Sequence, residues 1–136
     1  MNIKQARDNV NQKFRYQSDG KMDVWEILDT NEDIIKGDCE DYSLTLIWLA
    51  ENKNIFKFIF SLLLMKYVIW YTKTPSGTGH VITYVRSEKK FIDNIKKDFY
   101  TKKQYRDGGF KFVFPFASLL ILPKLIFSYT LGPFFR

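Results

Sequence analysis

The segment Lys36-Gly37-Asp38-Cys39-Glu40-Asp41-Tyr42-Ser43-Leu44, with the apolar run behind it, limits the possible folds most strongly. Asp38 has the chemistry of a helix N-cap, and Glu40 and Asp41 fall in the first turn, at the positive end of the helix dipole. Leu44, Leu46, Ile47, Trp48, Leu49 and Ala50 then place apolar side chains on more than one face, and Asn52-Lys53-Asn54 ends the run. A helix that is apolar on several faces must be enclosed. The remainder of the chain reads as the frame around it.

Ile3, Ala6, Val10 and Phe14 fall at helical spacing and predict an amphipathic helix over 3–15, closed by Gln17-Ser18-Asp19-Gly20. Asp23 is placed to cap a short helical piece over 24–28, followed over 29–33 by a polar loop or the start of another turn. The apolar stretch from Ile55 to Tyr71 is too long for one strand. It divides into a helix near 55–63 and a strand near 64–73, where Val68, Ile69, Trp70 and Tyr71 favour extended chain. Thr74 to Gly79 is turn-rich. Strands over 80–86 and 90–93 flank a turn at 87–89. Residues 98–109 read as charged loop with some helix, and Phe110 to Phe114 as a further strand. Phe116 to Phe127 is apolar but interrupted by Pro123.

A length of 136 residues suits one domain that can bury a real core. A composition 46% hydrophobic and 18% aromatic argues against disorder. The net charge of +6 is spread along the chain, with no basic arm or recognition motif, so no nucleic-acid partner is expected. Lys57 and Lys66 interrupt the most apolar stretch, so no membrane span is expected. Nor is a metal or cofactor, since one Cys and one His supply too few ligands, and Asp38, Glu40 and Asp41 lack the spacing of a calcium loop.

The only cysteine, Cys39, stands where a helix begins, and backbone N–H groups at a helix start favour the thiolate and can hold an oxyanion. Asp38, Glu40 and Asp41 would oppose the thiolate if they faced it, so they are expected to point away. The only histidine, His80, begins a strand after the glycine-bearing loop, and Asp93 ends the next one. A turn at 86–88 pairs residues whose numbers sum to about 173–175, which sets Asp93 opposite 80–82, with Cβ atoms about 5 Å apart across the pair. Asp93 can then accept from one ring nitrogen of His80 and leave the other for Cys39. That is the nucleophile, base and orienter logic of a triad.

Gly37-Asp38-Cys39-Glu40-Asp41-Tyr42, Gly79-His80-Val81 and Ile92-Asp93-Asn94 resemble the motifs of the bacterial transglutaminase-like cysteine peptidases, within the papain-like, transglutaminase-core superfamily. Val10-Asn11, Tyr16 and Asp23 to Leu28 are similar to that family's upstream pattern, and the likeness covers about residues 3–95. It implies an α+β fold with a papain-like or transglutaminase-type core, in which a cysteine-bearing helix packs on a small antiparallel sheet. It also implies Cys39 as nucleophile, His80 as general base and acid, Asp93 as orienter, and a peptide or protein as substrate. Water gives hydrolysis and an amine gives transfer. Trp25 is a candidate oxyanion donor, but its ordinary role is a core aromatic, and it stays outside the catalytic set. The small size and the lack of an apolar leader at Met1 to Gln5 suit a cytoplasmic or virion-associated protein of bacterial or phage type.

A second expectation competes. The aromatic segment over 110–136, with Phe112, Phe114, Phe116, Phe127, Phe134 and Phe135, offers apolar surface for a protein partner or an oligomer. The chain would then be a structural or interaction protein that keeps the fold, for instance a phage virion component.

Overall fold

The structure is a computed structural model and describes residues 2–17 and 26–116. Asn2 and Gln5 form a capping box that starts helix α1 (Ile3–Lys13). Ile3, Ala6 and Val10 bury one face of α1, which packs on helix α2 (Cys39–Ala50). The helix stops short of residue 15 because Phe14 enters a three-residue strand, β1 (Phe14–Tyr16). This strand runs parallel to β2 (Ile35–Gly37), pairing Phe14 with Ile35 and Tyr16 with Gly37. Phe14 still fills the core position its spacing predicts, 5.0 Å from the Tyr42 ring centroid in an edge contact.

The expected helical piece over 24–28 is corrected for residues 26–28, which have no helical structure. Their backbone donors are taken by α2 instead. Glu26 N–H donates to Asp41 Oδ1 at 3.0 Å, and Leu28 N–H to Thr45 Oγ1 at 2.8 Å. Gly37 is needed for this close packing, because a Cβ there would sit 2.9 Å from Asp41 Cβ and 3.0 Å from Leu28 Cδ1. Trp25 and Asp23 lie outside the described residues.

Ten of the twelve residues of α2 are buried, as its all-round apolar pattern requires. Asn52 and Lys53 turn the chain with positive φ, and Asn54 caps α3 (Ile55–Leu63). The antiparallel sheet has the order β5-β4-β3-β6, from β3 (Tyr67–Lys73), β4 (Gly79–Val85), β5 (Lys90–Ile92) and β6 (Lys111–Pro115). The strand beginning at Tyr67 starts later than expected because Met65 adopts positive φ in a turn.

Side chains alternate between the two faces of the sheet. Tyr67, Ile69, Val81, Val85 and Ile92 share a core with α2. On the other face Ile82 and Phe91 pack with Tyr105, from the short helix α4 (Lys102–Asp107), and with Phe110. Phe112 packs at the same cluster and Phe110 is buried, so this part of the expected aromatic docking segment is core. Phe114 is exposed and stacks on Tyr71, and residues 117–136 lie outside the described residues. The sheet thus continues to Pro115, beyond the reach of the family likeness. Among the described residues, no helix is long and apolar enough to cross a membrane.

Candidate active site

The β4–β5 hairpin pairs Thr83 with Ile92, Tyr84 with Phe91 and Val85 with Lys90. The ladder stops there, and Asp93 begins a turn. Continuing the register sets Asp93 opposite Ile82, hence diagonal to His80 and on the same face. The two meet directly: His80 Nε2 and Asp93 Oδ2 are 2.8 Å apart, with both side chains buried. The turn holds the acid in place. Asp93 Oδ1 accepts the Lys96 N–H at 2.8 Å, and its carbonyl accepts the Lys97 N–H at 3.0 Å. The Phe110 ring lies 6.2 Å from the imidazole, centroid to centroid. Nδ1 is the ring nitrogen that Asp93 leaves unengaged.

Cys39 is the first residue of α2. Asp38 and Asp41 form a capping box, each side chain accepting the other's backbone N–H at 3.3 Å. Both acids therefore serve the helix start, as expected. Glu40 does not turn away as expected. Its Oε2 accepts from the Cys39 thiol at 3.5 Å. Because β5 ends at Ile92, the Val81 N–H of β4 has no strand partner on that side, and it donates to Cys39 Sγ at 3.3 Å. The thiol thus occupies the open edge of β4.

The expected activation by the helix start is outweighed. Burial pushes the thiol well above its ordinary range, and the charges of Glu40 and Asp38 push it the same way. Only the Val81 N–H pulls it down. At rest Cys39 is a neutral thiol. The N–H groups of Cys39 and Glu40 are the first two of the helix and have no intrahelical acceptor.

The structure brings all three expected residues to one place, though by a different route. His80 and Asp93 lie on the sheet face away from α2, and the thiol reaches them around the β4 edge. Cys39 and His80 share a cavity of about 330 Å³, also lined by Tyr16, Thr74, Thr78, Gly79, Asn94 and Ile95. Among the described residues no hydrogen bond joins Sγ to the imidazole.

Several contributors have roles that residue spacing does not indicate, although Asn11, Tyr16 and Tyr42 fall within the family likeness. The β1–β2 pair sets Tyr16 at the cavity, and strands of three residues leave no periodic signal. Tyr105 is fully buried, and burial followed by the Asp93 carboxylate raises its pKa. Asn11 accepts from Tyr42 Oη at 2.7 Å and donates to the Lys97 carbonyl at 2.9 Å, tying α1 and α2 to the turn after Asp93. The Tyr42 phenol is likewise raised by burial and by Asp93.

No protein-family model matches the chain, and no curated protein matches its sequence.

Proposed function

We propose that the chain is a thiol-dependent amidase or peptidase with a papain-like, transglutaminase-type core, in which Cys39 is nucleophile, His80 base and acid, and Asp93 orienter. The observation that carries this reading is the buried 2.8 Å His80–Asp93 pair, whose histidine lines a cavity that also holds the thiol at a helix start. In the proposed reaction His80 Nδ1 takes the thiol proton as Sγ bonds to an amide carbonyl carbon. The carbonyl electron pair moves onto oxygen, near the N–H groups of Cys39 and Glu40. When the tetrahedral species collapses, the C–N bond breaks and the amine leaves with the proton from His80. Water, deprotonated by His80, then attacks the thioester, releases the acid and restores the thiol. An amine in place of that water gives transfer.

A neutral resting thiol makes His80 essential during attack, not merely helpful beforehand. The test uses p-nitrophenyl acetate, followed by nitrophenolate release and by the acetyl mass on the Cys39 peptide. Acylation of Cys39 faster than in the unfolded chain is expected. His80→Ala lowers that rate by about a hundredfold or more, the range of general-base catalysis. Acylation that is no faster than in the unfolded chain, or is indifferent to His80, removes the enzyme reading.

A second reading is a partner-binding protein. It rests on α3, whose outward side chains Phe56 and Phe60 are 70% and 57% exposed, with Leu63, Leu64 and Met65 beside them. Exposed apolar side chains grouped in one short stretch are what a protein-contact surface offers. It becomes the leading reading if the acylation test fails.

A further inference from the structure

Helix α3 is apolar on two sides. Phe58, Ser61 and Leu62 are buried and account for one of them. On the other, Phe56, Phe60 and Leu63 fall at i, i+4 and i+7, so they stand in one row along the helix. Ile55 at the helix start, and Leu64 and Met65 in the turn after it, flank that row. All six side chains are exposed. A grouped apolar surface with a polar rim marks an interaction site.

The rim is basic. Lys57, Lys66 and Arg86 lie beside Phe60 and Leu64 along one shallow groove, and Lys53 lies beside Ile55 along another. Two acids share these grooves. Glu51 is buried and paired with Lys66 at 2.7 Å, and the Asp29 carboxylate accepts the Asn31 N–H at 3.0 Å. From Asn52 to Ser87 the sequence has no Asp or Glu. The backbone groups along the middle of a helix are satisfied within it, so this face offers apolar area and positive charge but little hydrogen-bond chemistry with which to select one protein. A bilayer with anionic headgroups matches both properties. Phenylalanine and leucine side chains enter the boundary between headgroups and acyl chains, and the basic rim meets the headgroup charge.

We infer that α3 and the turn after it dock the chain on an anionic lipid surface, with the helix lying in the plane of the interface. Docking leaves the Cys39–His80 cavity free. α3 follows the C-terminal end of α2, and Cys39 begins α2, roughly 18 Å away along that helix. The inference gives a lipid occupant to the face on which the partner-binding reading rests, and it does not depend on Cys39.

The test is co-sedimentation of the full chain with two kinds of vesicle, one of phosphatidylcholine alone and one of equal parts phosphatidylcholine and phosphatidylserine. Binding to the anionic vesicles is expected to be tighter by about tenfold or more, and to weaken with added salt. Replacing two exposed rings, Phe56→Gln with Phe60→Gln, leaves the core intact and lowers binding about tenfold or more. Lys57→Gln lowers it about fivefold. Lys103→Gln removes the same charge from an exposed position on α4, at the other face of the sheet, and leaves binding unchanged. Cys39→Ala binds as the unmutated chain does, whatever p-nitrophenyl acetate shows. Binding to neither vesicle overturns the inference, as does equal binding to both. Equal losses for Lys57→Gln and Lys103→Gln assign the binding to net charge and also overturn it. So does a dimer that the double phenylalanine variant dissolves while neither vesicle is bound, which gives the face to a second copy of the chain.

Discussion

The cavity is built from two halves with opposite electrostatic character. On the hairpin side, His80 and Asp93 are already joined at 2.8 Å, and the acid is fastened by its own turn. On the helix side, Cys39 is held as a neutral thiol by burial and by the acids of the same helix start. One half is a hydrogen-bonded pair already in place, while the other keeps its thiol protonated. The lesson is that a helix N-terminus does not guarantee a thiolate. The favourable dipole is a partial charge, and here it faces one full carboxylate charge at 3.5 Å, a second nearby and a large loss of hydration.

The strongest way to break this comparison is to dismantle the hairpin half alone. Asp93→Asn leaves a group of the same size but removes the charge that supports an imidazolium. Acylation by p-nitrophenyl acetate is expected to fall about a hundredfold. An unchanged rate would mean that the 2.8 Å pair is only structural. The helix half is tested by Glu40→Gln. Removing a like charge next to the thiol lowers its pKa, so more thiolate exists at a given pH. Iodoacetamide alkylation of Cys39 at pH 8 is expected to rise roughly tenfold, the effect of about one pKa unit. No increase would place the restraint in burial alone.

The smallest effect is on stability. Cys39 is an acid whose folded pKa lies above its unfolded value of about 8.5. Above that pH the unfolded chain loses the thiol proton while the folded chain keeps it. The unfolded state then binds fewer protons, and stability falls as pH rises. Relative to Cys39→Ala, the unmutated chain is expected to lose about 0.8 kcal/mol between pH 7 and pH 9. Urea melts at the two pH values measure this, and a flat difference would contradict the raised thiol. Tyr42, Tyr67 and Tyr105, all raised mainly by burial, extend the decline in both chains above about pH 10.

Much of this arrangement can be read in the sequence, for identifiable reasons. Asp38 caps α2 because its side chain and spacing allow little else, and the hairpin register follows from counting outward from a short turn. The observed pairs sum to 175, at the edge of the expected range, and this sets Asp93 diagonal to His80. The rest depends on contacts between distant segments. Nothing in the composition of residues 26–28 shows that Asp41 and Thr45 will bind their N–H groups in place of a helix. Glu40 is one residue from Asp41, yet the helical turn sends them to different places, Asp41 inward to backbone and Glu40 to the thiol. Phe110 and Phe112 look like spare apolar surface until β6 pairs with β3 and α4 brings Tyr105 beneath them.

The turn over 86–89 acts as a length gauge for the whole site. It lies at the end of the hairpin away from His80 and Asp93 and touches neither. Adding or deleting one residue there still slides β5 by one position against β4, which sends Asp93 to the opposite face of the sheet. This surface turn is therefore less tolerant of insertions and deletions than its exposure suggests, whereas changes of residue type that preserve its length are accepted where they keep the positive φ of Lys89. In a lineage of such chains, the length of this turn is expected to be kept more strictly than the identity of its residues.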